Sequence, residues 1–260
     1  MFGVTQLRDV VYVVSGGSST ISRFNATTHQ RLAGIDIDGF DGANENNDIA
    51  ACELTCQLYV LDHYRYCECV WRVSSDGVDI QRWLKMSPSD TFRPDTLSVT
   101  SSRLLVMSRR DIQLRQFDAA GGDELRRVGL PDYMEPRHAV ESPTGTFIIS
   151  HRNTQLDQDQ VSEVSTECQV LRQFSCSSLG CPKHIAVDRQ GNIFVAEHNF
   201  RDWAYGRILL LDAQLALRRV IINQHQMSDS LPWRLCYMDQ SGQLLVGFLS
   251  GGVAVFDVLR

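Results

Sequence analysis

Short apolar segments recur along the chain with the period of a β-strand. The clearest occupy residues 10–14, 57–61, 103–107, 146–150 and 243–247. Each has the length of a strand and is bounded by Gly, Ser, Asp or Asn, and none continues with the spacing of an amphipathic helix. The pattern therefore predicts an all-β chain built from many short strands.

These segments form an internal repeat. The central apolar residues of the predicted second strands are Tyr12, Tyr59, Leu105, Ile148, Phe194 and Leu245. They lie 43 to 51 residues apart, which is close to the spacing of four-stranded propeller blades. The repeat predicts one six-bladed β-propeller domain over residues 1–260, with four-stranded antiparallel blades and about 23 strands. The predicted blades are 1–40, 41–86, 87–131, 132–176, 177–224 and 225–260. The sixth blade contains three strands, so it is either three-stranded or truncated.

The most regular copy of the repeat runs from Pro182 to Ile208. It reads Pro-x-x-Ile-Ala-Val-Asp-x-x-Gly-Asn-Ile-Phe-Val-Ala-Glu as far as Glu197, and Arg207-Ile follows. This pattern resembles an NHL repeat, although the family usually has Asp in place of Glu197 and a shorter link to the Arg-Ile pair. Copies two, three, four and six match it more loosely, and copy one matches mainly by its strand pattern. We expect Glu197 and Arg207 to pair across the hairpin.

The resemblance implies a six-bladed propeller similar to those of tripartite-motif NHL proteins. Such propellers are mostly binding platforms for proteins or RNA. Related six-bladed propellers include an amidating lyase and metal-dependent lactonases, so the fold alone does not decide the function.

The composition narrows the function classes. The chain has 260 residues, 43% hydrophobic and 22% charged, with a net charge of −6, which is ordinary for a globular protein. No apolar run reaches the roughly 18 residues of a membrane span, and residues 1–8 lack the features of a secretory signal. We therefore expect a cytoplasmic protein without membrane contact. It is predicted to be a monomeric domain, standing alone or cut from a longer multidomain chain. The negative charge argues weakly against nucleic acid.

Polar loops with aromatic, Arg and His residues follow the second strands of copies two to five. In a propeller these loops share one face, here called the top face, with the loops that lead to the next blade. Because Tyr, Trp and Arg commonly anchor recognition surfaces, we predict a non-enzymatic scaffold that binds a protein or peptide there. The candidate contacts are Tyr64, Arg65, Arg109, Arg110, His151, Arg152, His198, Arg201, Trp203 and Tyr205. The same side chains can stack bases, so single-stranded RNA is an alternative partner.

A second group of candidates comes from aligning the first strands. The aligned position, near the mouth of the channel, holds Asp48, Thr96, His138, His184 and Arg234. Asp48, His138 and His184 are ligand types for zinc or another divalent metal. The alternative function is therefore a metal-dependent hydrolase or lyase. The structural alternative is a polar channel lining, for which no cofactor is expected.

Enzyme signatures are otherwise lacking in the sequence. The full histidine, Tyr and Arg set of the amidating lyase is not found, and neither is the Glu and Asn/Asp set of the lactonases. No Gly-x-Ser-x-Gly elbow and no phosphate-binding Gly-x-x-x-x-Gly-Lys-Ser/Thr motif is found. Enzymatic activity thus stays open, and the scaffold is the favoured interpretation.

Overall fold

Six antiparallel sheets follow one another along the chain. The computed structural model describes residues 2–40, 47–62, 69–85, 92–176, 179–199, 205–223, 226 and 231–258. Five of the sheets have four strands and the last has three. The predicted fold class is confirmed: the chain is an all-β, six-bladed β-propeller with a three-stranded last blade. No helix in the described part of the chain is long and apolar enough to cross a membrane.

The chain forms two compact units, Met1–Arg127 and Val128–Arg260. Three sheets begin in the first unit. The first sheet consists of β1 (Phe2–Leu7), β2 (Val10–Ser15), β3 (Thr20–Asn25) and β4 (Arg31–Asp36). The second consists of β5 (Asp48–Cys52), β6 (Gln57–Asp62), β7 (Cys69–Ser74) and β8 (Ile80–Lys85). The third consists of β9 (Thr96–Thr100), β10 (Arg103–Ser108), β11 (Gln113–Asp118) and β12 (Glu124–Gly129).

The second unit holds the other three sheets. The fourth sheet consists of β13 (Met134–Glu141), β14 (Phe147–Asn153), β15 (Gln158–Val164) and β16 (Val170–Phe174). The fifth consists of β17 (Cys181–Val187), β18 (Ile193–Asn199), β19 (Tyr205–Leu211) and β20 (Leu217–Ile222). The sixth consists of β21 (Pro232–Met238), β22 (Gln243–Phe248) and β23 (Val253–Asp257).

Each second strand is buried on both of its faces. In β6, Leu58 and Val60 belong to the core shared with the first sheet, whereas Tyr59 and Leu61 belong to the core shared with the third. Successive side chains of a strand point to opposite faces. A strand between two cores is therefore apolar at almost every position, which explains why these strands appear in the sequence as continuous apolar runs.

Tight turns join the first strand to the second. The Gly191 amide donates to the Asp188 carbonyl at 3.0 Å, and the Gly145 amide donates to the Ser142 carbonyl at 3.0 Å. Both glycines have a positive φ, 84° and 83°, which a β-carbon would disfavour. These turns hold the ends of the strands in place.

Candidate functional site

In the first unit the aligned first-strand position links neighbouring sheets. The Asp48 side chain, only 1% exposed, accepts the Leu97 amide of β9 at 3.0 Å. Its other oxygen accepts the amide of Ile49 at 3.1 Å. The first sheet has Gly3 at the equivalent position, where an added β-carbon would lie 3.1 Å from the Ile49 nitrogen. Asp48 therefore satisfies the amide that faces Gly3 as well as the one in the next sheet.

In the second unit two histidines form the same link. The Nδ1 atom of His138 accepts the Ile185 amide at 3.3 Å, and Nδ1 of His184 accepts the Leu235 amide at 3.2 Å. Both imidazoles are buried, with 1% and 7% exposure. Each donor comes one residue after the aligned position of the following sheet, as Leu97 does in the first unit. The bond thus joins β13 to β17 and β17 to β21.

The two imidazoles also contact each other. The rings of His138 and His184 stack with their centroids 3.6 Å apart and an angle of 28° between their planes. Burial, with smaller contributions from the His138 and Arg234 charges, holds the pKa of His184 well below its usual value. His184 is therefore neutral at pH 7. Because its Nδ1 accepts a hydrogen bond, the proton of the neutral ring lies on Nε2.

The hydrogen bonding of the two rings bears on the predicted metal centre. A histidine that binds a metal usually offers one nitrogen lone pair and donates the N–H of the other nitrogen to a neighbour. In His138 and His184 an amide already engages the Nδ1 lone pair, and the proton of a neutral ring would occupy Nε2. Metal binding by Asp48, His138 and His184 stays a prediction of the sequence.

A β-bulge precedes the aligned position in each first strand of the second unit. Every bulge follows a proline, which lacks the amide hydrogen of a regular ladder. The bulge residues are Arg137, Lys183 and Trp233. Arg137 forms an ion pair with Asp159, and the Lys183 amine lies 5.0 Å from the centre of the Trp233 ring. In the sequence, the proline of the repeat marks each of these bulges. Strand periodicity alone does not predict a bulge there.

The third blade presents two of the predicted top-face residues. Arg109 and Arg110 are both exposed in the turn between β10 and β11. The Arg109 amide donates to the Asp95 carboxylate at 2.7 Å. Ser108 donates its hydroxyl to Asp111 at 2.6 Å and accepts the Asp111 amide at 3.1 Å. The backbone that carries the two arginines is thus held by side chains on both sides.

The loop before β9 forms hydrogen bonds with the same turn and with the strand before it. The amide of Arg93, which is also exposed, donates to the Asp111 carboxylate at 3.1 Å. The Asp95 amide donates to the Met107 carbonyl at 2.7 Å. Arg93 therefore lies beside the arginine turn. Sequence reasoning missed it, because its loop precedes the first strand and has no repeat signal.

The loop assignment of His151 and His198 was wrong. They lie in β14 and β18 and are 0% and 1% exposed. The Nε2 atom of His151 lies 2.8 Å from the Ser162 hydroxyl, and Nε2 of His198 lies 2.5 Å from the Pro232 carbonyl. Burial lowers the pKa of both histidines to about 4. Both strands extend past the apolar run because polar partners satisfy these side chains.

Of the remaining predicted contacts, the structure describes the side chain of Arg152 alone. Arg152 also lies in β14 and not in a loop. It is exposed and forms an ion pair with Asp157 in the loop that follows. Tyr205 begins β19, and its side chain is outside the described residues. Tyr64, Arg65, Arg201 and Trp203 also lie outside the described residues.

Glu197 and Arg207 pair as expected. Nε of Arg207 donates to one carboxylate oxygen of Glu197 at 3.0 Å, and its Nη2 lies 3.0 Å from the other oxygen. The Gly180 amide also donates to this carboxylate at 2.8 Å. The Glu that departs from the NHL pattern is therefore a buried structural residue, and burial raises its pKa.

The likeness to solved structures supports the fold. No family model matches the chain, and no curated protein matches it. The chain is similar to a hydrazine synthase of Kuenenia stuttgartiensis, with TM-score 0.69, 13% identity and coverage of 99% of this chain and 76% of that one. It is similar to a streptogramin B lyase, with TM-score 0.65, 10% identity and coverage of 98% and 92%. It is also similar to the β-propeller domain of Cps50 (Swd1) from Myceliophteria thermophila, with TM-score 0.62, 11% identity and coverage of 99% and 83%. At these identities the likeness concerns the fold alone.

Proposed function

We propose that this propeller, of the NHL type, is a non-enzymatic scaffold that binds a protein or peptide through its top-face loops. The observation that carries the proposal is the third-blade turn with Arg109 and Arg110. Arginine is enriched at recognition surfaces because its guanidinium donates several hydrogen bonds and stacks on planar groups. Here two arginines stand together, exposed, on a backbone fixed by Asp95, Asp111 and Ser108.

A fixed loop favours binding. Association costs free energy whenever it orders a flexible segment, and a loop already held in one conformation avoids part of that cost. The arginine turn is held from two sides, by Asp95 from the preceding loop and by Asp111, which accepts the Ser108 hydroxyl, from within the turn. Binding to this turn therefore requires little further ordering of its backbone.

A binding selection tests the proposal. Immobilised protein is used to select from phage-displayed random dodecapeptides, and enriched peptides are measured against the variant Arg109→Glu/Arg110→Glu. We expect enriched peptides whose affinity falls at least tenfold in this variant. The matched control is Arg31→Glu/Arg126→Glu, which changes the charge equally at exposed arginines of β4 and β12 and should leave affinity unchanged. The proposal is overturned if no peptide is enriched or if both variants bind equally well.

The two alternatives have their own tests. Binding of single-stranded RNA predicts an affinity that falls steeply with salt, and titration with a labelled oligouridylate at low salt measures it. A metal-dependent hydrolase or lyase predicts stoichiometric zinc, calcium or iron in the purified protein, which elemental analysis measures.

A further inference from the structure

Three exposed arginines lie on adjacent segments of the third blade. Arg109 and Arg110 occupy the turn between β10 and β11, and Arg93 lies in the loop before β9. The Arg93 amide donates to the Asp111 carboxylate at 3.1 Å, which places the backbone of Arg93 beside the turn. The Arg109 amide donates to the Asp95 carboxylate of the loop at 2.7 Å. The loop and the turn are therefore linked in both directions.

The backbone of the turn has a conformation that its own sequence disfavours. Ile112, which lies between Asp111 and β11, has a φ of 50°. A β-branched residue rarely adopts a positive φ, because its side chain then crowds the backbone. Such a conformation persists only where surrounding contacts impose it. Here the Asp111 carboxylate accepts both the Ser108 hydroxyl and the Arg93 amide, so the fold fixes the backbone that presents the arginines.

Two carboxylates of the same segments oppose the arginine charges. Asp95 and Asp111 carry two negative charges against the three positive charges of Arg93, Arg109 and Arg110, which leaves an excess of one positive charge. An incoming carboxylate, with one negative charge, balances this excess. A phosphate monoester carries about two negative charges at neutral pH and would leave the surface negative. The charge of the surface therefore favours a single carboxylate.

The shape of the arginine side chain also favours a carboxylate. The planar guanidinium presents a fork of N–H donors that matches the two oxygens of a carboxylate, and hydrogen bonds between ionised groups are stronger than those between neutral groups. Nucleic acid fits this surface less well, because its affinity comes from many phosphate contacts at once. The chain as a whole carries a net charge of −6, which opposes the approach of such a polyanion.

We propose that Arg109 and Arg110 select a peptide segment with one glutamate or aspartate, whose side-chain carboxylate they bind. Arg93 contributes to the positive charge that attracts this carboxylate. The proposal rests on the scaffold function proposed above and names the class of peptide that the same surface takes. The preformed backbone of the turn lowers the cost of binding, and the guanidinium groups provide the selectivity for the acidic residue.

Two libraries of phage-displayed dodecapeptides test the proposal on the unmodified protein. They are identical except at position six, which is Glu in one library and Gln in the other, and Asp and Glu are excluded from all other positions. We expect enrichment from the Glu library. The best peptide is then synthesised with a fluorescein label and an amidated C-terminus. By fluorescence anisotropy, its version with Gln at position six should bind at least tenfold more weakly, and salt should weaken the binding of the Glu peptide.

A pair of protein variants assigns this selectivity to the arginine turn. Arg109→Gln/Arg110→Gln should bind the Glu and the Gln peptides with equal affinity, because the groups that distinguish them are removed. The matched control Arg31→Gln/Arg126→Gln changes the charge equally at exposed arginines of β4 and β12 and should keep the full tenfold preference. Circular dichroism checks that both variants are folded, and Arg110→Gln alone replaces the first variant if it is not.

Several outcomes would overturn the proposal. These are equal enrichment from the two libraries, a preference for Glu that survives in Arg109→Gln/Arg110→Gln, or a phosphoserine version of the peptide that binds at least tenfold more tightly than the Glu version. Tighter binding of a labelled oligouridylate than of the Glu peptide, lost in Arg109→Gln/Arg110→Gln, would overturn it as well. Peptides enriched only from the Gln library that still require Arg109 and Arg110 would overturn it and leave the scaffold function intact, whereas no enrichment from either library would overturn both.

Discussion

The two units connect the first strands of their sheets by the same hydrogen bond but with different side chains. In the first unit the acceptor is the Asp48 carboxylate. In the second unit the acceptors are the imidazoles of His138 and His184. An imidazole nitrogen accepts a hydrogen bond only while the ring is neutral, whereas a carboxyl oxygen keeps acceptor capacity in either protonation state. The hydrogen bond between neighbouring first strands therefore depends on pH differently in the two units.

The contrast extends beyond the aligned position. His151 and His198 of the second unit are buried together with His138 and His184. In the described part of the first unit the single histidine, His29, is exposed. A mildly acidic pH should therefore lower the stability of the second unit and leave that of the first unit unchanged.

The largest expected effect is a selective loss of stability between pH 7 and pH 5. The folded-state pKa of His151 and of His198 is about 4, below the value of about 6.5 in an unfolded chain. As pH falls below 6.5, the unfolded state binds protons that the folded state does not. Stability is therefore complete above pH 6.5 and decreases progressively towards pH 4. We expect a loss of about 2 kcal/mol per histidine at pH 5, with His184 contributing in the same direction.

Hydrogen exchange with mass spectrometry measures this loss unit by unit, after correction for the intrinsic effect of pH on exchange. Peptides that contain the Ile185 and Leu235 amides should lose protection at pH 5, whereas the peptide that contains Leu97 should keep it. An equal loss in both units would contradict the comparison.

The next effect isolates one imidazole. His184→Leu leaves the buried Leu235 amide without its acceptor, which should cost about 1–3 kcal/mol in the free energy of unfolding at pH 7.5. His184→Asn places an amide oxygen near the position of Nδ1 and does not titrate. We expect it to recover part of this loss and to reduce the difference in stability between pH 7.5 and pH 5.5. Urea denaturation at both pH values provides the measurement. A pH dependence unchanged in His184→Asn would show that other groups cause it.

The sequence was sufficient for the fold because strand interiors carry a strong signal. Residues such as Tyr59 and Leu61 lie between two cores, so every blade contains an apolar run at a regular spacing. Strand ends carry a weaker signal. His151 and Asn153 look like loop residues, yet they continue β14 because Ser162 and Gln160 bond to them. Which polar residues meet across a hairpin depends on register, and composition does not show it.

The sequence identified the equivalent residues of the candidate site but did not show their role. Aligning the repeat correctly selected Asp48, His138 and His184 as equivalent residues. Their task depends on which ring nitrogen meets a backbone amide from the next sheet, 47 residues away for His138 and 51 for His184. No local pattern encodes that orientation. A polar residue at the aligned position is therefore compatible with a ligand, a base or a structural acceptor until the amide is seen.

The smallest expected change in pH dependence concerns the carboxylate of the first unit. Asp48→Asn keeps one oxygen acceptor but replaces the other with an NH₂ group that faces an amide donor. It should lower the free energy of unfolding by about 1–3 kcal/mol. Because the imidazoles of the second unit are unchanged in this variant, the difference in stability between pH 7.5 and pH 5.5 should match that of the unmodified protein. Urea denaturation of Asp48→Asn at both pH values, compared with that of His184→Asn, provides the measurement. If Asp48→Asn changed the pH dependence as much as His184→Asn does, the division between a carboxylate unit and an imidazole unit would be wrong.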